Sequence, residues 1–93
     1  MNGGDGDGCR YEIRIAPSAA RSLRGLDRPI QRRIAAAIDG LAAEPRPSGV
    51  RKLVGAEDLW RIRVGDYRIV YAIGDDRLVV LVVRIGHRSD VYR

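Results

Sequence analysis

Residues 59–71 read Leu-Trp-Arg-Ile-Arg-Val-Gly-Asp-Tyr-Arg-Ile-Val-Tyr, two alternating apolar and polar runs on either side of Gly65-Asp66. Glycine at the first central position of a two-residue loop suits a type II′ turn, whose twist matches that of the strands it joins. With that loop, Val64 faces Tyr67, Arg63 faces Arg68 and Arg61 faces Val70. Side chains alternate along a strand, and directly opposed residues share a face. Trp60, Ile62, Val64, Tyr67, Ile69 and Tyr71 therefore fall on one side, and Arg61, Arg63 and Arg68 on the other. One face can bury against a core. The other gathers three guanidiniums, which repel one another on paired strands unless an anion compensates them. A solvated amphipathic hairpin satisfies the same pattern, so the hairpin alone leaves both readings open.

Upstream, residues 1–9 are rich in Gly and Asp and lack periodicity, the composition of a flexible tail. Tyr11, Ile13 and Ile15 alternate with Glu12 and Arg14, so residues 10–16 predict a half-buried strand. Pro17-Ser18 opens a short helix to about Leu26. Asp27 is placed to cap a second helix, with Pro29 tolerated in its first turn. Ile30, Ile34, Ala37, Ile38 and Leu41 form the apolar stripe of that helix, and Pro45 and Pro47 stop it. A short strand is expected at Val50–Val54, within the loop that leads to the hairpin.

After Gly74-Asp75-Asp76, Leu78 to Ile85 is almost continuously apolar, the pattern of a strand covered on both faces. Arg84 interrupts it. On the core side Arg84 would be an expensive buried charge. The register should therefore set Arg84 and Arg88 beside Arg68, which requires an odd-length connection at 74–76 or a β-bulge. The predicted fold is α+β: an N-terminal strand, a helical hairpin, then an antiparallel sheet of about four further strands whose free face carries the Arg cluster.

Seventeen basic residues, sixteen of them Arg, stand against twelve acidic ones, for a net charge of +5. That balance favours a polyanionic or acidic partner, and Arg suits bidentate phosphate contacts. The lone Cys9 cannot form an internal disulfide, and Cys9 with the single His87 cannot assemble a metal cluster. The apolar run from Leu78 to Val83 is far below the ~18 residues a membrane span needs. No apolar signal core precedes the first strand, so a soluble, cytoplasmic protein is expected.

The hairpin Trp60–Tyr71, together with Gly86-His-Arg-Ser-Asp-Val-Tyr92, resembles the RelE/ParE superfamily, the toxins of type II toxin–antitoxin pairs. The resemblance spans residues 10–93 as one toxin domain and includes the element order. It implies the RelE-like microbial RNase fold, a cognate antitoxin as partner, and no cofactor or metal. RelE-like members are ribosome-dependent endoribonucleases that cut mRNA in the A site. ParE-like members inhibit DNA gyrase. The nuclease pattern maps onto Arg61 and Arg63 on the first hairpin strand, Arg68 on the second, and Arg88 and Tyr92 near the C-terminus.

One departure concerns the base. Well-known relatives carry Lys where this chain has Arg63, and a guanidinium does not readily release its proton. Arg63 can still favour a 2′-alkoxide electrostatically. Histidine commonly serves as general base or acid, so His87 offers a replacement. The pleat, however, turns it away from Arg88 and points to a structural role.

Overall fold

The computed structural model describes residues 10–53 and 58–87. In chain order these form β1 (Glu12–Ile15), α1 (Pro17–Arg24), α2 (Arg28–Gly40), β2 (Arg51–Lys52), β3 (Leu59–Val64), β4 (Tyr67–Gly74) and β5 (Val79–His87). The five strands make one sheet in the order β1-β5-β4-β3-β2. The four later strands pair antiparallel, as expected, but β1 joins the edge parallel to β5, with Ile13 opposite Val80 and Ile15 opposite Val82. The sheet is thus mixed. Alternation in residues 10–16 specified which face is buried, and said nothing of the direction of the neighbouring strand.

The hairpin register is the one the Gly65-Asp66 turn dictates: Trp60 opposite Tyr71, Ile62 opposite Ile69, Arg63 opposite Arg68, Val64 opposite Tyr67. Gly65 has φ +61 and Asp66 does not share the positive φ, which is the II′ pattern. An L side chain in that conformation costs about 1–2 kcal/mol. A Cβ on Gly65 would also lie 3.5 Å from an Arg33 guanidinium nitrogen. Gly65→Ala is therefore expected to destabilise the protein by about 1–2 kcal/mol. Gly40→Ala, at a helical position with nothing within 4 Å of the new methyl, should be neutral or stabilising by up to ~1 kcal/mol. Urea titration of both variants checks the contrast.

Helices α1 and α2 cover one face of the sheet, α1 over β5 and α2 against α1 and β3. Ile34, Ile38 and Leu41 from the predicted stripe interlock with Ala19, Ile62, Ile69, Tyr71, Val80, Val82 and Ile85 to form the core. Trp60 packs on its margin and is only half-buried. Asp27 occupies the N-cap position of α2 with extended backbone, but its side chain makes no capping hydrogen bond. Pro29 already removes one of the amide donors a cap would serve, and the end is closed by Gln31 N–H donating to the Asp27 carbonyl, 2.8 Å. The strand expected at Val50–Val54 is reduced to Arg51–Lys52, and Val54 lies outside the described residues, as do the tail at 1–9 and Cys9.

The last strand differs from its apolar reading. Leu78 turns with φ +55, so β5 begins at Val79. Only one face of the strand is covered: Val80 and Val82 are fully buried, while Leu81 is 37% exposed. Both helices lie on the same side of the sheet, so among the described residues Leu81 has no second layer to pack against. Between Val70 and Tyr71 the β4–β5 register shifts by one, leaving Val83 as a bulge. Gly74 pairs with Val79, and without the bulge that register would carry Arg84 onto the core face opposite Ile69. With it, Arg84 sits opposite Val70 on the free face and Ile85 fills the core opposite Ile69.

A polar latch ties the segment after α2 to the β4–β5 turn. Arg46 donates two hydrogen bonds to the Asp75 carboxylate, 2.9 and 3.2 Å, and the Tyr11 hydroxyl donates a third, 2.7 Å. Arg46 also lies 5.0 Å from the centre of the Trp60 ring, and Lys52 5.5 Å from it. The Tyr71 hydroxyl donates to the Pro45 carbonyl, 2.7 Å. The bonds from Arg46 and then Tyr11 hold Asp75 down from its ordinary 3.8 to about 2. A depressed carboxylate contributes stability above its unfolded pKa and loses it as pH falls through the folded one. The difference in thermal midpoint between wild type and Asp75→Asn should therefore be constant near neutrality and shrink as pH drops from about 4 toward 2.

Candidate functional site: a guanidinium cleft on the free face of the sheet

The free face is ordered by strand register. Arg51 on β2 pairs with Arg61 on β3, Arg61 with Val70 on β4, and Val70 with Arg84 on β5. One row across four strands thus carries three arginines. The adjacent row holds Arg63, Arg68 and Gly86, opposite one another in turn. Gly86 contributes no side chain to this row. Two of these pairs, Arg51–Arg61 and Arg63–Arg68, set like charges directly opposite, an arrangement that is unfavourable without a counter-anion.

Arg51, Arg61, Arg63 and Arg68 line, with Gly49 and Ile62, a cleft of about 290 Å³. Arg68 lies at its floor. Alternation predicted Arg68 on the exposed face, and the face is right but the exposure is not: Arg68 is 7% exposed, while Arg63 is open to solvent and Arg61 is half-buried. The cause is depth. Arg68 stands on the central strand, with β3 and β5 on either side and the Arg61, Arg63 and Gly49 rim above it. A charge held there is poorly screened by water, so its field on an anion in the cleft is stronger than at the rim. Arg63 is exposed, and its Nε donates a long bond to the Gly65 carbonyl, 3.4 Å.

His87 is paired with Tyr67 on the opposite, helix-side face, its ring edge-on to the tyrosine at 5.4 Å and 86°. It is therefore separated from the guanidinium cleft by the sheet itself, in line with a structural role. Arg88 and Tyr92 lie outside the described residues. A wider groove of about 700 Å³ runs between α1 and the β5 bulge, lined by Ser18, Ser22, Arg84 and Gly86 among others. Among the described residues of its lining, only Arg84 is charged. Sequence reading missed Arg51, whose alignment with Arg61 depends on how the chain returns across residues 53–58. The available signal was the basic pair Arg51-Lys52 itself, which alternation alone cannot assign to a face.

Among the described residues no helix is long and apolar enough to cross a membrane. Residues 13–92 match the family model described as the ParE toxin of the type II toxin–antitoxin system parDE. Toxin RelE of Mycobacterium tuberculosis is 36% identical over 84 residues, covering 89% of this chain and 87% of that protein. Toxin RelG of the same organism is 33% identical over 87 residues, covering 89% and 97%. Among solved structures, the archaeal RelE–RelB complex from Pyrococcus horikoshii superposes with a TM-score of 0.76 at 31% identity, covering 85% of this chain and 96% of that one. With the ParE model matched over nearly the whole described length and RelE toxins similar in both sequence and shape, the chain belongs to the RelE/ParE superfamily of type II toxin–antitoxin toxins, on its RelE-like branch.

Proposed function

We propose that this toxin is a ribosome-dependent endoribonuclease that cuts mRNA in the A site, and that an antitoxin restrains it. The observation that carries the reading is the cleft in which Arg61 and Arg63 stand around the buried Arg68. The chemistry is transesterification. The 2′-oxygen of one nucleotide attacks the adjacent phosphorus and loses its proton. The bond from phosphorus to the 5′-oxygen breaks, and that oxygen takes up a proton. The products are a 2′,3′-cyclic phosphate and a 5′-hydroxyl. Negative charge accumulates on the phosphoryl oxygens in the transition state, so fixed guanidiniums bind it better than the ground state.

In this scheme Arg68 clamps the scissile phosphate, Arg61 positions the backbone, and Arg63 lowers the cost of the 2′-alkoxide by charge. Arg88 adds a second clamp and supports leaving-group protonation, and Tyr92 stacks on a base or exchanges a proton. The clustered cations supply the charge stabilisation for which other nucleases use a metal ion. Arg63→Lys distinguishes its roles. A purely electrostatic role leaves activity roughly preserved, a role as base keeps or raises it, and a bidentate phosphate grip makes Lys a clear loss.

The antitoxin proposal draws on the Pyrococcus relative, whose structure is a RelE–RelB complex. Co-expression with the product of a neighbouring gene should restore growth and give a stable complex. A chain that is harmless alone and bound by no such product would refute it. A second reading is favoured by Arg63 in place of Lys and by the match to the ParE family model: a ParE-like inhibitor whose basic face engages DNA gyrase and cuts nothing. Supercoiling assays run beside cleavage assays separate the two.

A further inference from the structure

The row Arg51–Arg61–Val70–Arg84 starts at the cleft wall, with Arg51 and Arg61, and runs past the cleft to Arg84. Arg51 sits on the edge strand β2, and Arg84 on β5 beyond the central strand that carries Arg68. At the usual inter-strand spacing the two ends are on the order of 14 Å apart, a distance that one phosphate cannot bridge. Both end residues are exposed. Arg84 reaches this face only because the Val83 bulge shifts the register, so a departure from regular pairing serves to place a cation here. Arg51 in turn is held directly against Arg61, a repulsive pairing that a polyanion crossing the strands would relieve.

We propose that Arg51 and Arg84 grip the RNA backbone on either side of the phosphate held above Arg68, so that the free face is a track for single-stranded RNA running across the strands. This rests on the nuclease reading for its ligand, and its test does not depend on cleavage. Each arginine that neutralises a phosphate releases condensed counterions, and for single strands each such contact adds about 0.7 to the slope of log affinity against log salt. The probe is a short single-stranded RNA with 2′-O-methyl groups throughout, which has no hydroxyl to attack and reports binding alone by fluorescence anisotropy.

Arg51→Ala and Arg84→Ala should each weaken binding and lower the salt slope by about 0.7. Arg51→Lys should restore the slope, since a point charge also displaces counterions. Arg32→Ala, an exposed position on α2 in the helical layer, should leave it as in wild type. Slopes equal to wild type in both alanine variants would overturn the track, as would a loss in only one of them. A loss of equal size in Arg32→Ala, or wild-type protein without salt-dependent binding, would also overturn it. If the slopes change as expected while wild type fails to cut unmodified mRNA on ribosomes, the track stands and the nuclease reading falls.

Discussion

Arg68→Ala is expected to lower single-turnover cleavage of mRNA on programmed ribosomes by about 10²–10³-fold, the usual effect of deleting one preorganised donor to a transition-state oxyanion. The expectation is sharper for Arg68 than for the rim residues because it is the arginine buried at the cleft floor. Burial also complicates the alanine variant, since the aliphatic stem of a buried arginine contributes packing. Arg68→Met keeps most of that stem and removes the charge. It should retain a near-native thermal midpoint, because it relieves the repulsion with the directly opposed Arg63, and should lose cleavage as fully as the alanine. Arg68→Lys should recover little, since a point charge does not reproduce a bidentate grip. Full activity in Arg68→Met would remove Arg68 from the mechanism.

The largest loss of stability is expected at Ile69→Ala. Ile69 is fully buried on the central strand, opposite Ile62 on one side and Ile85 on the other. Truncating a buried isoleucine costs about 2–5 kcal/mol, from lost transfer energy and an unfilled cavity. A domain of this size shifts its thermal midpoint by roughly 4–8 °C per kcal/mol, so calorimetry should find a fall of at least ~8 °C. Leu81→Ala, on the same sheet but 37% exposed, should cost under about 1 kcal/mol. Equal losses at the two positions would contradict the one-sided core.

The contrast between Ile69 and Leu81 marks where the sequence was informative. A two-residue turn with glycine first leaves one register for the hairpin, and the alternation around it then assigns every side chain from Trp60 to Tyr71 to a face. The bulge was legible for a different reason: Arg84 in a regular strand would be a buried charge, and the fold avoids that cost by adding a residue. Patterning stops at the face, however. Arg68 and Arg63 are equivalent by alternation, yet one is buried and the other exposed, because depth depends on which strand is central and what rims it. The parallel edge pairing of β1 depends on a long connection, and the alignment of Arg51 with Arg61 on the segment at 53–58; in neither case does length determine where the chain returns. Leu78 read as strand because it is apolar, whereas its positive φ places it in the preceding turn.

The catalytic proposal is tested most directly by mapping cleavage of mRNA on translating ribosomes with the purified toxin. The account predicts cuts confined to the A-site codon, leaving a 2′,3′-cyclic phosphate and a 5′-hydroxyl, and absent with Arg68→Met. Intact mRNA from wild-type toxin under conditions where the same preparation inhibits gyrase supercoiling would contradict it, and would assign the guanidinium cleft to binding without chemistry.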